Sequence, residues 1–219
     1  SESMYNFSIY INIENSSWVV IDAVNREDTY AIGVDVGAGI GKDYSVAIVL
    51  SKMTGQPVAI FRSNTTTPVD FAGELFAISQ EYNGAKILCE ANNVGIVVIQ
   101  ALQGSNLWKS ADDKYWTTTV QNKRIAFEEL KEALRSGTLN ILDAVTIGEL
   151  RSIKLDKQYN ITLTRANGAH ADNAMALALA FQCLKNVRLP TRAFLPAWVK
   201  TKRAEKIINA GNGSALRRY

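Results

Sequence analysis

Residues 33–50, GVDVGAGIGKDYSVAIVL, constrain the fold of this chain more than any other stretch. Three glycines follow an apolar run, and that pattern suits either a loop wrapped round a nucleotide phosphate or a tight connection between strands. A dinucleotide-type cradle needs a helix directly behind the glycines, so that the free amides of its N-terminus face the anion. A second extended segment follows instead. Tyr44, Val46, Ile48 and Leu50 alternate with Ser45, Ala47 and Val49, and Ile32, Val34 and Val36 alternate before the glycines, which is period two on both sides. The glycines therefore join two strands. Pairing of those strands brings Asp35, at the end of the first, near Asp43, at the start of the second.

The rest of the chain extends this hairpin into a mixed sheet. Strands are expected from Thr29 to Val36, over 44–51 and, after the turn KMTGQ, over 57–63. Thr67 and Pro68 open a helix through about Tyr82 with Phe71, Leu75, Phe76 and Ile78 on its apolar side, and Gly84 closes it. KILCE at 86–90 reads as a short buried strand and VGIVVIQAL at 94–102 as a short helix behind it. A polar loop over 103–114 leads to a possible strand YWTTTV. A helix then runs from Asn122 to Ser136, with Ala126, Leu130, Ala133 and Leu134 in one stripe and Gly137 as its stop. TLNIL is a further possible strand and 144–157 a further helix. ADNAMALALAFQCL makes a last helix, apolar almost all round and hence buried. Three antiparallel strands followed by alternating helices and strands give an α/β fold, a mixed sheet with helices on both faces. The expected division is a connector over 1–28, one domain over 29–187 and a tail over 188–219.

Composition excludes several classes. With 47% hydrophobic and 21% charged residues the chain suits an ordinary globular domain. Its longest apolar stretch, AMALALAF, is too short to span a bilayer, and no basic segment with an apolar core opens the sequence, so a soluble intracellular protein is expected. Cys89 and Cys183 are expected in buried elements, there is no CxxC and there is one histidine, so a zinc site or a disulfide framework has little to build on. Residues 185–219 carry nine Lys or Arg against one Glu. That tail is either a solvated terminus or a contact for nucleic acid or an acidic partner.

The chemistry lies in the acids. Asp35 ends one strand, and Glu90 closes another on the side opposite Ile87 and Cys89. Ligand sites of open sheets lie just beyond such strand ends. Asp172 opens the most buried helix, where the helix dipole favours a carboxylate. Each has a bland alternative: a turn residue, a partner for a surface base, a helix start. Gathered within a few ångströms, the three would repel, and one or more would bind a proton at neutral pH unless a cation joined them. The natural cation is Mg2+ or Mn2+, which takes oxygen ligands and leaves positions for water and a phosphate. Two such ions can hold a phosphodiester and activate water against it. Asp43 is either a further ligand or the partner of a nearby base. His170, two residues before Asp172, is either a proton shuttle or a helix cap.

These residues resemble the C-terminal nuclease domain of the large terminase subunit of tailed bacteriophages, a ribonuclease H-like fold. The likeness is carried by GVDVGAGIGKDYS at 33–45, EANNVG at 90–95, NKR at 122–124 and HADNAMALALA at 170–180, in that order over residues 30–185. It implies metal ligation by Asp35, Glu90 and Asp172, an accessory role for Asp43 and His170, and cutting of concatemeric double-stranded DNA with little sequence preference during genome packaging in the host cytoplasm. It also implies partners: an ATPase domain of the same protein, of which residues 1–28 would be the connector remnant, together with the portal and the small terminase subunit. No membrane partner is expected. Two departures stand out. No GxxxxGK[ST] phosphate loop is present, and Ala171 stands where many relatives carry a small or acidic residue.

Lys123 and Arg124 occupy the first turn of a helix, where the dipole disfavours cations. Contact with a DNA backbone explains them; so does a pair between Arg124 and Glu128. Lys109, Lys114, Tyr115 and Trp116 add charge and stacking surface in the preceding loop. The competing functions are a junction resolvase or transposase-like nuclease of the same fold, an actin-like or sugar-kinase ATPase, and a module that grips DNA or the portal without cutting. An ATPase would need a second phosphate loop and about twice this length.

Overall fold

The computed structural model describes residues 17–37, 41, 43–141, 143–155, 161–163 and 171–190, with the backbone alone at 155 and 161–163. His170, residues 1–16 of the expected connector and the tail beyond Pro190 lie outside the described residues. The elements run β1 (Trp18–Val20), β2 (Tyr30–Asp35), β3 (Ser45–Ser51), β4 (Pro57–Ser63), α1 (Pro68–Glu81), β5 (Lys86–Cys89), α2 (Gly95–Ala101), α3 (Val120–Arg135), α4 (Ala144–Ser152), β6 (Ile153–Leu155), β7 (Ile161–Leu163) and α5 (Asp172–Lys185). Five strands form one sheet in the order β1-β4-β3-β2-β5, in which β2 pairs antiparallel with β3 and parallel with β5. This is the expected mixed sheet, a ribonuclease H-like arrangement. The expected connector supplies β1, an edge strand antiparallel to β4, and buries Trp18.

The register fixes which side chains share a face. Ala31, Gly33 and Asp35 lie opposite Leu50, Ile48 and Val46, so Asp35 points to the same side as that apolar row. Ala31, Val46, Ile48, Leu50 and Leu88 pack with α3 and α5, whereas Ile32, Val34, Ala47, Val49, Ile87 and Cys89 pack with α1 and α2. Every residue of β3 is buried, because helices cover both faces.

One close approach locks the second face. A Cβ on Gly33 would lie 2.0 Å from the amide nitrogen of Ala180 and 2.1 Å from the carbonyl oxygen of Ala176, so α5 lies with its backbone directly on β2. The first glycine of the opening motif and the small residues of AMALALA are one packing device. From this crossing, two residues along β2 reach Asp35 and one turn back along α5 reaches Asp172, each a step of roughly 6 Å. Gly33→Ala is therefore expected to destabilise the domain by about 1–3 kcal/mol or more through overpacking, read as a fall in the urea midpoint without a change in slope.

The structure corrects several expectations. YWTTTV forms no strand beyond a single bridge between Trp116 and Glu90. Thr119 instead caps α3 in a box with Asn122, and the helix starts at Val120. Residues 138–141 form no strand, because the Leu139 amide returns to the Ala133 carbonyl at the end of α3 and Gly137 turns at φ +73°. The helix expected over 144–157 stops at Ser152, since Ile153 is extended and starts the β6–β7 pair. Phe76, expected in the core, is 52% exposed; the buried stripe of α1 is Phe71, Ala72, Leu75, Ile78 and Ser79.

Candidate active site

The C-terminal ends of β2 and β5 and the N-terminus of α5 meet at one edge of the sheet, and each delivers an acid. Asp35 is the last residue of β2 and is partly buried. Glu90 follows β5, and its local chain is fixed on both sides. Its backbone bridges to Trp116, and the Ala91 amide donates to the Trp116 carbonyl at 2.7 Å. Asn92 Oδ1 accepts from the Gly95 amide at 2.7 Å, and a Cβ on Gly95 would lie 1.9 Å from the Glu90 carbonyl oxygen. That is why EANNVG has an asparagine and a glycine at those places. Asp172 is the first residue of α5, and its Oδ2 accepts from the Tyr44 amide at 3.3 Å.

Electrostatics tie the three together. The Asp35 carboxyl is pushed up to about 8, first by burial and then by the charges of Asp172 and Glu90; Lys123 acts in the opposite direction, and Glu149 adds to the rise. Among the described residues, no three Asp, Glu, His or Cys side chains stand in a group ready to hold an ion. What joins the acids in this structure is their field: burial and the charges of Asp172 and Glu90 bear on Asp35 together.

Asp43 is placed differently. It lines a small hollow with Gly37, Ser45, Ser63, Asn64 and Thr66, beside Pro68 and Val94 at the starts of α1 and α2. Ser45 alternates with Val46, the partner of Asp35, so that hollow opens toward the other face of the sheet. The chain neighbour of Asp43, Tyr44, nonetheless bonds Asp172 through the backbone amide.

Of the expected DNA contacts, Lys123 is partly buried and its charge acts on Asp35. Arg124 Nε pairs with Glu128 at 2.8 Å, one helical turn on. In the preceding loop, Lys109 pairs with Asp113 at 2.9 Å and lies 5.2 Å from the centre of the Tyr115 ring.

Two site residues were not found by sequence reasoning. Arg62 leaves β4 on the Asp35 side of the sheet and stacks on Tyr44, 3.9 Å from the ring centre. Its Nη1 donates to Glu149 Oε1 at 3.0 Å and also to Asn173 Oδ1. Glu149, on α4, is buried, and burial raises its carboxyl above the usual range against the opposing pull of the Ala174 amide and Arg62. Arg62 carried a signal: a lone charge in the apolar strand PVAIFRS is as anomalous as Glu90 in KILCE. Glu149 carried none, being one more polar residue in a short helix.

No known family profile matches the chain. In sequence it is 29% identical over 171 residues to the large terminase subunit of Thermus virus P23-45, an alignment that takes in 74% of this chain. The chain spans about a third of the length of the curated relatives it matches (33%). In fold it is similar to the large terminase nuclease from thermophilic phage G20c with bound magnesium, with a TM-score of 0.66 and 26% identity over 76% of this chain and 87% of that one. It is likewise similar to the large terminase nuclease domain of Thermus phage P74-26, with a TM-score of 0.62 and 25% identity over 75% and 84% of the two chains. The G20c nuclease has also been solved with cobalt and with zinc.

Proposed function

We propose that this domain is a metal-dependent endonuclease that cuts double-stranded DNA with little sequence preference during viral genome packaging, in the host cytoplasm. The observation that carries this reading is the set of three acids, Asp35, Glu90 and Asp172, delivered by separate elements to one edge of the sheet and coupled through the raised Asp35 carboxyl. Similarity to phage large terminase nucleases supports it in sequence and fold.

The residues fit a hard divalent cation. All three offer carboxylate oxygens, and a partly buried acid held up to about 8 by its neighbours is a group that a cation would release from its proton. Asp35, Glu90 and Asp172 would hold Mg2+ or Mn2+, two ions in this reading, which supply Lewis-acid polarisation of the phosphodiester and an activated water. Asp35, which senses both other acids, would be one of the ligands and the one most affected by the ion's charge. The Tyr44 amide keeps Asp172 Oδ2 oriented. His170 is assigned to proton transfer and Asp43 to an accessory role outside the first set of ligands.

Lys123 and Arg124 lie beside this edge and are assigned to the DNA backbone, with Lys123 also offsetting the acid field. Replacing both by alanine is expected to weaken binding of a random-sequence duplex equally for all sequences and to lower the slope of log affinity against log salt by about one to two. Fluorescence anisotropy over a salt series reads both quantities. The domain is assigned to residues 29–187, with β1 packed on its sheet; an ATPase domain of the same protein, the portal and the small terminase subunit are its proposed partners. The deciding experiment is nicking of supercoiled plasmid in Mg2+ or Mn2+ by the wild type and by variants of the three acids. Cleavage that persists unchanged in the variants would remove this reading.

A further inference from the structure

Helix α5 carries Asp172 in its first turn, yet its own N-cap position supplies no side-chain cap. The N-cap residue is Ala171, which makes no side-chain hydrogen bond to the helix. The first amides of a helix have no partner within it, and an uncapped first turn frays. Here the acceptor comes from another helix: Glu149 Oε2, on α4, accepts from the Ala174 amide at 2.9 Å.

The other oxygen of Glu149 is equally committed. Oε1 accepts from Arg62 at 3.0 Å, and Arg62 also donates to Asn173 Oδ1 while stacking on Tyr44. The Asn173 amide nitrogen donates to Thr146 Oγ1 at 3.1 Å. Tyr44 closes the circuit by donating its own backbone amide to Asp172. From Asp172 the connections therefore run through Tyr44, Arg62 and Glu149 back to the first turn of α5, joining β4, the start of β3, α4 and α5. With both oxygens engaged and 8% of its surface exposed, Glu149 is not disposed to hold an ion itself.

We propose that Glu149 is a positioning residue for Asp172, capping α5 from α4 and held in place by Arg62. A cap contributed by a charged side chain also suits the positive end of the helix dipole. The effect on metal affinity rests on the reading of Asp172 as a metal ligand; the capping itself does not.

The test compares the full chain with Glu149→Ala, Glu149→Gln and, as a control, Ser79→Ala. Ser79 is buried near the opposite edge of the sheet, where its Oγ donates to the Ala85 carbonyl. Two quantities are read: hydrogen exchange in peptides covering the start of α5, and the half-saturating Mg2+ concentration for plasmid nicking. Glu149→Ala should speed exchange at the start of α5 about tenfold and raise the Mg2+ midpoint about tenfold or more, the usual scale for residues that orient a metal ligand. Glu149→Gln keeps one oxygen that can accept from Ala174 but turns an amide nitrogen onto the Arg62 donor, so it should recover the exchange rate and the midpoint only in part. Ser79→Ala should move neither. Unchanged exchange in Glu149→Ala, or a midpoint shift matched by the control, overturns the proposal. Should Glu149→Ala not fold, Arg62→Gln is read by the same criteria. A wild type indifferent to Mg2+ would count against the nuclease reading, and the exchange comparison would still decide the capping.

Discussion

Asp35→Ala is expected to lower Mg2+-dependent nicking of supercoiled plasmid by about a thousandfold or more, and Glu90→Ala and Asp172→Ala by comparable factors. The size follows from the several kcal/mol of transition-state charge stabilisation that a bound ion supplies, at about 1.4 kcal/mol for each factor of ten. Asp35 should show the largest loss, because it is the acid that both others act on. The measurement is the rate of supercoiled-to-open-circle conversion in Mg2+ and in Mn2+, with melting curves to confirm that each variant is folded. A junction resolvase of the same fold would cut a branched substrate far faster than plasmid, and a DNA-gripping module would bind as tightly as expected while leaving every plasmid intact.

The same arrangement makes Asp35→Asn a stabilising change in the absence of divalent ions. In the folded chain the Asp35 carboxyl titrates near 8, against an ordinary value of 3.8. Below about pH 4 both folded and unfolded chains carry the proton and the site is neutral in its effect. Between about 4 and 8 the unfolded chain releases the proton and the folded chain keeps it, so stability falls as pH rises; above about 8 the penalty is complete. Asparagine cannot ionise and escapes this loss. The variant should therefore melt higher than the wild type at pH 8, by on the order of 10 °C for a few kcal/mol in a domain of this size, with the difference vanishing toward pH 4. Adding Mg2+ should reverse the order, since an ion that binds only the folded, ionised site stabilises the wild type alone. A pH-independent difference, or equal gains from Mg2+ in both proteins, would contradict the coupling among the acids.

Several parts of this site were legible because they broke a local rule. Asp35 and Glu90 end apolar strands, where a charge needs a reason, and Asp172 opens a helix that is otherwise buried. Arg62 breaks the same rule in β4. The strands β2 to β5 and the helices α1, α2, α3 and α5 were readable from periodicity and caps. The failures came where a single hydrogen bond redirected a segment with β-type residues: Thr119 turned TTTV into a helix start, and the return of the Leu139 amide to Ala133 kept TLNIL out of a sheet.

By itself the sequence determined the mixed sheet, the two covered faces and the three acids at element ends, because alternation, helical spacing and isolated charges are properties of nearby residues. Tertiary structure decided which acids share a field. Asp43 lies only eight positions from Asp35, yet it lines a separate hollow with Ser45 and Ser63, beside the starts of α1 and α2. Glu149, more than a hundred positions from Asp35, acts on it all the same, from an α4 that bonds the start of α5, the helix that lies on β2. Distance along the chain carries no information about such convergence; it follows from the packing of one backbone against another.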